Sequence, residues 1–365
     1  MSVILFIIIL AVLVFVHELG HFIAAKRSGI RVDEFGIGFP PRLFSWRRGE
    51  TLYSFNLIPF GGFVKIFGEN PNKDSTSGPD SARSITNKPK GIQILVLISG
   101  ILGNFIFAWL LISLGFLIGL PASALDYDGP GKVTQERLLI TYIKEDSPAQ
   151  KADLKRGDEI IKIISPDNKV IEKPWVEETR ELIDQSGGKE IEFVIRRKGV
   201  TETIKLSPES GIVSGKYAIG ATLDMVGVLK LQAWQSFIYG AKQTVIMTGE
   251  VSVGLAEFIA NAFRLKADLS QVTGPVGIAG MVGEASDLGI RYLIFFTALI
   301  SIHLAVINII PFPALDGGRI MFVIIEKIRG KPISHNIFNI LNGVGFLLLI
   351  ILMIVITFRD VIKLF

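Results

Sequence analysis

Residues 15–26 read FVHELGHFIAAK and lie inside an apolar run that extends from Val3 to Ala25. Ionisable side chains are costly in hydrocarbon and mark functional sites there. His17 and His21 are four residues apart, so on a helix they lie one turn apart on one face and both imidazoles reach one metal ion. Glu18 is turned about 100° from His17. It is badly placed as a third ligand, yet within reach of a water bound to the ion. Zinc brings the pKa of its water to about 7, and a carboxylate beside it can take the proton. The bland alternative, two packed and hydrogen-bonded histidines, is weakened by their apolar setting in a chain with only four histidines.

The surroundings decide the fold class. Mean hydropathy is +0.48 and 49% of the residues are hydrophobic, too apolar for a soluble protein of this length. The apolar residues are concentrated in four segments: 1–27, 91–121, 289–327 and 336–360. Each is long enough to cross about 30 Å of hydrocarbon. The sequence therefore predicts a polytopic α-helical membrane protein with about four transmembrane helices. Basic residues follow the first segment (Lys26, Arg27, Arg31) and separate the third from the fourth (Arg319, Lys327, Arg329, Lys331). Both loops are expected in the cytoplasm, with the termini and the central insert outside. The opening MSVILFIIIL has neither a basic leader nor a cleavage site after it, so it reads as a membrane span, not a signal peptide.

Between the spans the pattern changes. Residues 28–90 are predicted as a cytoplasmic-side region whose stretch 35–64 alternates apolar and polar residues among glycines, as β-hairpins do. It is apolar enough to associate with the membrane, where irregular backbone has to be buried or line a cavity. Residues 125–223 carry strand patterns and a helix, a small α+β domain or partly open barrel. Residues 228–288 have helical period but include Lys242, Glu250, Glu257 and Arg264. They read as an amphipathic helix at the interface, with a fifth span as the alternative. Net charge is +4, from 38 basic and 34 acidic residues, without a basic block, so no nucleic-acid partner is expected. With no cysteine, disulfide frameworks and thiolate zinc sites are excluded.

A catalytic zinc ion needs a third protein ligand and an open position. His303, Asp316 and Glu326 are the remaining choices near the spans. Asp316 is favoured. It lies in NIIPFPALDGGR (308–319), where Pro311 and Pro313 break the helix and let backbone and carboxylate turn inward. His303 stands 13 residues earlier, roughly 20 Å away along a helix.

HELGH in the first span together with NIIPFPALDGG in the third resembles the site-2 protease family of intramembrane zinc metalloproteases. The insert, with SPAQKADLKRGDEIIKI (147–163), resembles a PDZ domain, and the combination is similar to the bacterial regulator-of-sigma-E protease branch. The resemblance implies that His17, His21 and Asp316 bind Zn2+ and that Glu18 is general base and then general acid. It implies substrate-binding roles for Asn308, for Gly36 and Gly38 of FGIGF (35–39), and for Asn104 of SGILGNFIFA. It also implies single-span membrane proteins, anti-sigma factors and signal-peptide remnants among them, as substrates, and a bacterial cytoplasmic (inner) membrane location. The PDZ-like insert has two possible jobs, capturing an exposed C-terminus by strand addition or rejecting substrates with bulky outer domains. The missing glycine-rich carboxylate loop favours the second.

Against the enzyme stand two other classes. A membrane scaffold with a vestigial metal site would be expected to have lost Glu18, and a zinc transporter needs polar residues along several spans. Neither pattern is present.

Overall fold

The computed structural model describes residues 2–362 other than 70–72, 126, 128, 198, 265 and 267–271. It divides into two units, Met1–Ser113 with Phe237–Ser286 and Leu293–Phe365, and Leu114–Ser236 with Asp287–Tyr292.

The first apolar run forms helix α1 (Ser2–Arg27), whose buried residues Ile9, Leu13, His17, His21 and Ala25 recur every fourth position. The opposite face, with Ile4, Ile8 and Val12, is open. Helix α1 thus has one protein-facing stripe, and both histidines are on it. Strands β1 (Val32–Arg48) and β2 (Thr51–Ile66) follow. Their register folds them into more than a simple hairpin. Phe35, Gly36 and Ile37 pair with Tyr53, Ser54 and Phe55 on one side and with Val64, Phe63 and Gly62 on the other, while Phe44–Arg48 pair with Phe55–Thr51. The first half of β1 is therefore central. Its Phe35 packs with Ala25, Ile30, Val64, Ile66 and Val96 and meets Phe15 and Phe22 edge-on at centroid distances of 5.7 and 5.1 Å. This aromatic contact seats the β region on the C-terminal half of α1.

After the short helix α2 (Lys73–Ser77) and two turns of 3-10 helix, α3 (Lys90–Ile118) returns against α1. The two are antiparallel: Gly20 abuts Ser99, and Gly103 abuts Val16. A Cβ at Gly20 would stand 2.2 Å from the Ser99 carbonyl oxygen. Small residues let helix backbones approach this closely in membranes, where packing replaces the hydrophobic drive.

The second unit is an α+β domain. It contains β3 (Leu120–Ser123), β4 (Val133–Ile143), helix α4 (Pro148–Lys151), β5 (Glu159–Ile164), β6 (Val170–Glu172), α5 (Val176–Gln185), β7 (Ile191–Arg197), β8 (Val200–Leu206), β9 (Glu209–Val213), β10 (Lys216–Ala218) and β11 (Ala221–Leu229). The main sheet runs β3-β11-β4-β5-β7-β8, with β6 on β5. All its pairs are antiparallel. Its core is built on Ile140, Ile163, Ile191, Phe193 and Ile195. Asp158, 1% exposed, takes both prongs of Arg197 at 2.8 and 2.7 Å, which ties the β5 entry to the end of β7.

The chain returns to the first unit with α6 (Ala233–Phe263), α7 (Pro275–Asp287), α8 (Ile290–Ile309), α9 (Asp316–Arg329) and α10 (His335–Ile362). Five helices among the described residues are long and apolar enough to cross a membrane, one more than the four read from the sequence. The addition is α6, previously assigned to the interface, with the lowest mean hydropathy of the five at 1.3. Its charges are spread thinly over 31 residues, so a window of span length contains few of them. The third apolar segment, read as one span over 289–327, is two helices, because the 310–315 turn with its two prolines separates α8 from α9.

Gly20→Ala tests the α1–α3 contact by sign. Alanine is the better helix former by about 1 kcal/mol, yet the clash with the Ser99 carbonyl is expected to lower the thermal midpoint of the detergent-solubilised protein. An unchanged or higher midpoint would show that the close approach is dispensable.

Candidate metal centre

Three side chains meet between α1 and the start of α9. The Asp316 Oδ2 atom lies 2.9 Å from His17 Nε2 and 3.1 Å from His21 Nε2, and the two Nε2 atoms are 3.2 Å apart. Four ligands at about 2.0–2.1 Å around a tetrahedral zinc are separated by roughly 3.3 Å, so the triangle has the right size. His17 and His21 are 8% and 7% exposed.

The outer ring nitrogens show what the inner ones can do. His21 Nδ1 lies 2.8 Å from the Val96 carbonyl oxygen, so Nδ1 carries a hydrogen and donates it, and Nε2 keeps its lone pair for a ligand. His17 Nδ1 faces the Asn104 amide at 3.3 Å. Asn104 is fully buried, and its Oδ1 has no hydrogen-bond partner. The two amide orientations assign the His17 tautomer differently. With the amide turned over, Oδ1 accepts from His17 Nδ1–H and the orphaned oxygen is satisfied, and amide orientation is an assignment, not an observation. His17 then has its Nε2 lone pair inward as well. With both Nε2 lone pairs turned inward, the three atoms form a donor set that could hold a metal ion.

The turn that delivers Asp316 is built for close approach. Ala314 has a left-handed φ of +75°, a strained state for alanine, and its N–H donates to Asn342 Oδ1 at 3.0 Å. A Cβ at Gly317 would meet the Ile309 and Ile310 carbonyl oxygens at 2.3 Å, and one at Gly318 the Phe312 carbonyl oxygen at 2.2 Å. The two glycines let α9 start directly beneath the end of α8. Gly100 clears space on the other side, since a Cβ there would sit 2.3 Å from His21 Nε2.

The other ligand choices go elsewhere. His303 is exposed and bonds through Nδ1 to the Leu299 carbonyl. Glu326 pairs with Lys90 at 2.5 Å and accepts from the Ile333 N–H. Glu18 lies beside the triad, where the charges of His21, His17, Asp316 and Glu69 act on it. The Cβ position of Gly62 is 3.7 Å from its Cγ.

The residues expected to touch substrate are placed less uniformly. Asn104 is behind His17 with 0% exposure, which makes it a support for the ligand and takes it out of reach of a substrate. Asn308 donates to the Leu304 carbonyl of its own helix at 3.0 Å. Gly36 is in the central strand, paired on both sides. Gly38, with φ +78°, follows it, its would-be Cβ 2.7 Å from the Ile58 carbonyl oxygen and its own carbonyl held by Asn56 Nδ2 at 3.0 Å. Asn56, 4% exposed, was not singled out in the sequence, where a polar residue in a strand pattern reads as solvent-facing. Residues Gly61–Ile66 form the outer strand nearest Glu18, and no strand covers its far edge among the described residues.

Asn104→Ala is expected to weaken zinc binding by about ten- to a hundredfold, read by competition with a chromogenic chelator, with the circular dichroism spectrum unchanged. Wild-type affinity in that variant would remove Asn104 from the support of His17.

The chain is similar to known proteins over nearly its whole length. The model of peptidase family M50 matches residues 5–352. The zinc metalloprotease RasP of Geobacillus kaustophilus is 30% identical over 441 positions, covering 100% of this chain and 98% of its own. A putative zinc metalloprotease of Clostridium perfringens is 34% identical, with 99% of each chain covered. The regulator of sigma-W protease RasP of Bacillus subtilis is 30% identical over 100% of this chain and 99% of its own. The motif residues His17, Glu18, His21 and Asp316 all fall inside a match that runs nearly the whole length, and the chain belongs to peptidase family M50.

Proposed function

We propose that this zinc metalloprotease hydrolyses peptide bonds in or near the transmembrane segments of single-span membrane proteins, as a step of regulated intramembrane proteolysis. The observation that carries the reading is the convergence of His17, His21 and Asp316 beside Glu18, with both histidines and the glutamate on a helix long and apolar enough to cross a membrane. A relative named for regulating sigma-W suggests an anti-sigma factor as the class of substrate.

His17, His21 and Asp316 would hold the zinc ion, which supplies Lewis acidity to water and to the scissile carbonyl. Glu18 takes a proton from the attacking water as the water oxygen bonds to the carbonyl carbon and the carbonyl oxygen receives the electron pair. The C–N bond then breaks as Glu18 passes that proton to the leaving amine. A substrate helix has to unwind before its carbonyl is open to attack. The free edge of Gly61–Ile66 is suited to receive the unwound segment as an added strand, with Gly36 and Gly38 shaping the sheet from within. Asn308 spends one Nδ2–H on the Leu304 carbonyl, and its second N–H and its Oδ1 would serve the substrate.

Helix directions support four crossings with α6 at the interface. Helices α1 and α3 are antiparallel. Leu293–Leu304 of α8 pack against Leu5–Leu13 of α1, and Asp316, which follows, reaches His17 and His21, so α8 runs parallel to α1. The chain leaves α3 and enters α8 on the same side. A single crossing by α6 between them would break that parity, and α7, with 13 residues, is too short to restore it. By the charge bias of the loops we read Asp316 as facing the cytoplasm and the α+β insert as outside. We read that insert as PDZ-like. Its strand β11 pairs with β3 only from Val226 onward, leaving Ala221–Asp224 as an edge of the kind PDZ domains use.

Two outcomes test this. Purified protein should cleave a model single-span substrate, and Glu18→Gln should abolish cleavage while retaining bound zinc; an inactive, zinc-free wild type would leave only a scaffold, and an active variant would remove Glu18 from the proton transfer. The chain has no native cysteine, so Gln232→Cys and Glu257→Cys are both expected to react with an impermeant maleimide added outside intact cells. Labelling of the second only after permeabilisation would make α6 a fifth crossing.

A further inference from the structure

One half-buried cation near the triad has no part in the chemistry above. Arg319 is one turn beyond Asp316 on α9, on the same face, and its Nη1 donates to Glu69 Oε1 just past the end of β2. The carboxylates of Glu69, Asp316 and Glu18 are the charges that act on the guanidinium. Its Nε and Nη2 groups donate to nothing among the described residues, and 35% of the side chain is open. Arginine has five N–H donors in a rigid fork, and here one prong is anchored while the rest are unspent. Charged groups at membrane depth are costly unless paired. A fork fixed at one edge and free at the other is equipped for a second, transient acceptor.

We propose that Arg319 is a further catalytic residue that donates to the oxygen of the scissile carbonyl as negative charge develops on it, with Glu69 holding the guanidinium in position. The inference rests on the protease reading of the same site. Preorganised donors aimed at a developing oxyanion are typically worth a hundred- to thousandfold in kcat. A lysine would keep the charge but lose the fork.

The competing account is that the pair merely ties α9 to the β region. The test compares Arg319→Gln, Arg319→Lys, Glu69→Gln and the Arg319→Gln/Glu69→Gln double variant, with kcat, KM and bound zinc measured on each against a single-span substrate in detergent. The wild type and Glu18→Gln run alongside, so failure of the protease reading shows as an inactive wild type and is distinct from failure here. We expect Arg319→Gln to lose about a hundredfold in kcat with KM and zinc content unchanged. Arg319→Lys should lose about tenfold, and Glu69→Gln less than tenfold, with the double variant equal to Arg319→Gln. Equal losses in Arg319→Gln and Glu69→Gln, zinc loss in Arg319→Gln, or full kcat in that variant would overturn the proposal. If Arg319→Gln does not fold, Arg319→Lys decides: wild-type kcat there overturns it, and a reduced kcat at wild-type zinc content and thermal midpoint supports it.

Discussion

Two imidazole lone pairs and a carboxylate oxygen are held within 3.2 Å of one another inside the protein. With both lone pairs turned inward and neither a proton nor a metal ion between them, this arrangement would be repulsive, and its cost would rise where water is scarce. The surrounding structure prevents the easy escapes. Val96 fixes the tautomer of His21 through Nδ1, Asn104 backs His17, and the 310–315 turn prevents Asp316 from swinging away. The energy that binds the ion is therefore already invested in packing, which is why the supporting contacts are mostly backbone and small side chains.

Those contacts share one means, the omission of a Cβ. Gly20 and Gly103 bring α1 against α3, Gly100 makes room for the His21 ring, and Gly317 and Gly318 seat α9 under α8. Each position places two backbones, or a backbone and a ligand, closer than any other residue allows. The metal site is thus a consequence of helix packing more than of loop conformation. Only at Ala314, where φ is +75°, is strain concentrated in a single residue, and there an Asn342 side chain holds the turn.

Much of this was legible in the sequence for identifiable reasons. HELGH has helical spacing and lies in an apolar run, so ligands, base and depth could be read together. Asp316 was separable from His303 because prolines mark a broken helix and distance along a helix is fixed. Other features depend on tertiary partners that spacing does not encode. Asn104 looks like a polar residue available to substrate until its full burial behind His17 is seen. Gly36 and Gly38 look like an exposed edge until β1 is found paired on both sides. The prolines of the third span mark a break, and what spacing does not encode is that α9 after it is a separate helix seated against the end of α8. Helix α6 meets the length and composition of a span although the directions of its neighbours argue against a crossing.

The β region explains how such a site can serve a substrate that arrives as a helix. Its central strand is locked by pairing on both sides and by Phe35 against α1, so the sheet keeps its position relative to Glu18. The outer strand, Gly61–Ile66, has one edge paired and, among the described residues, no strand on the other, and it runs past Glu18 at Gly62. Unpaired backbone at membrane depth is tolerated only where protein or a water-filled cavity receives it. A bare edge beside a metal centre therefore has the same character as the centre: both are groups left without a partner by the fold. On the function proposed above, a peptide that gave up its own helical hydrogen bonds would satisfy such an edge and bring a carbonyl toward Glu18, so that the hydrogen bonds lost from its helix would be those regained along the strand.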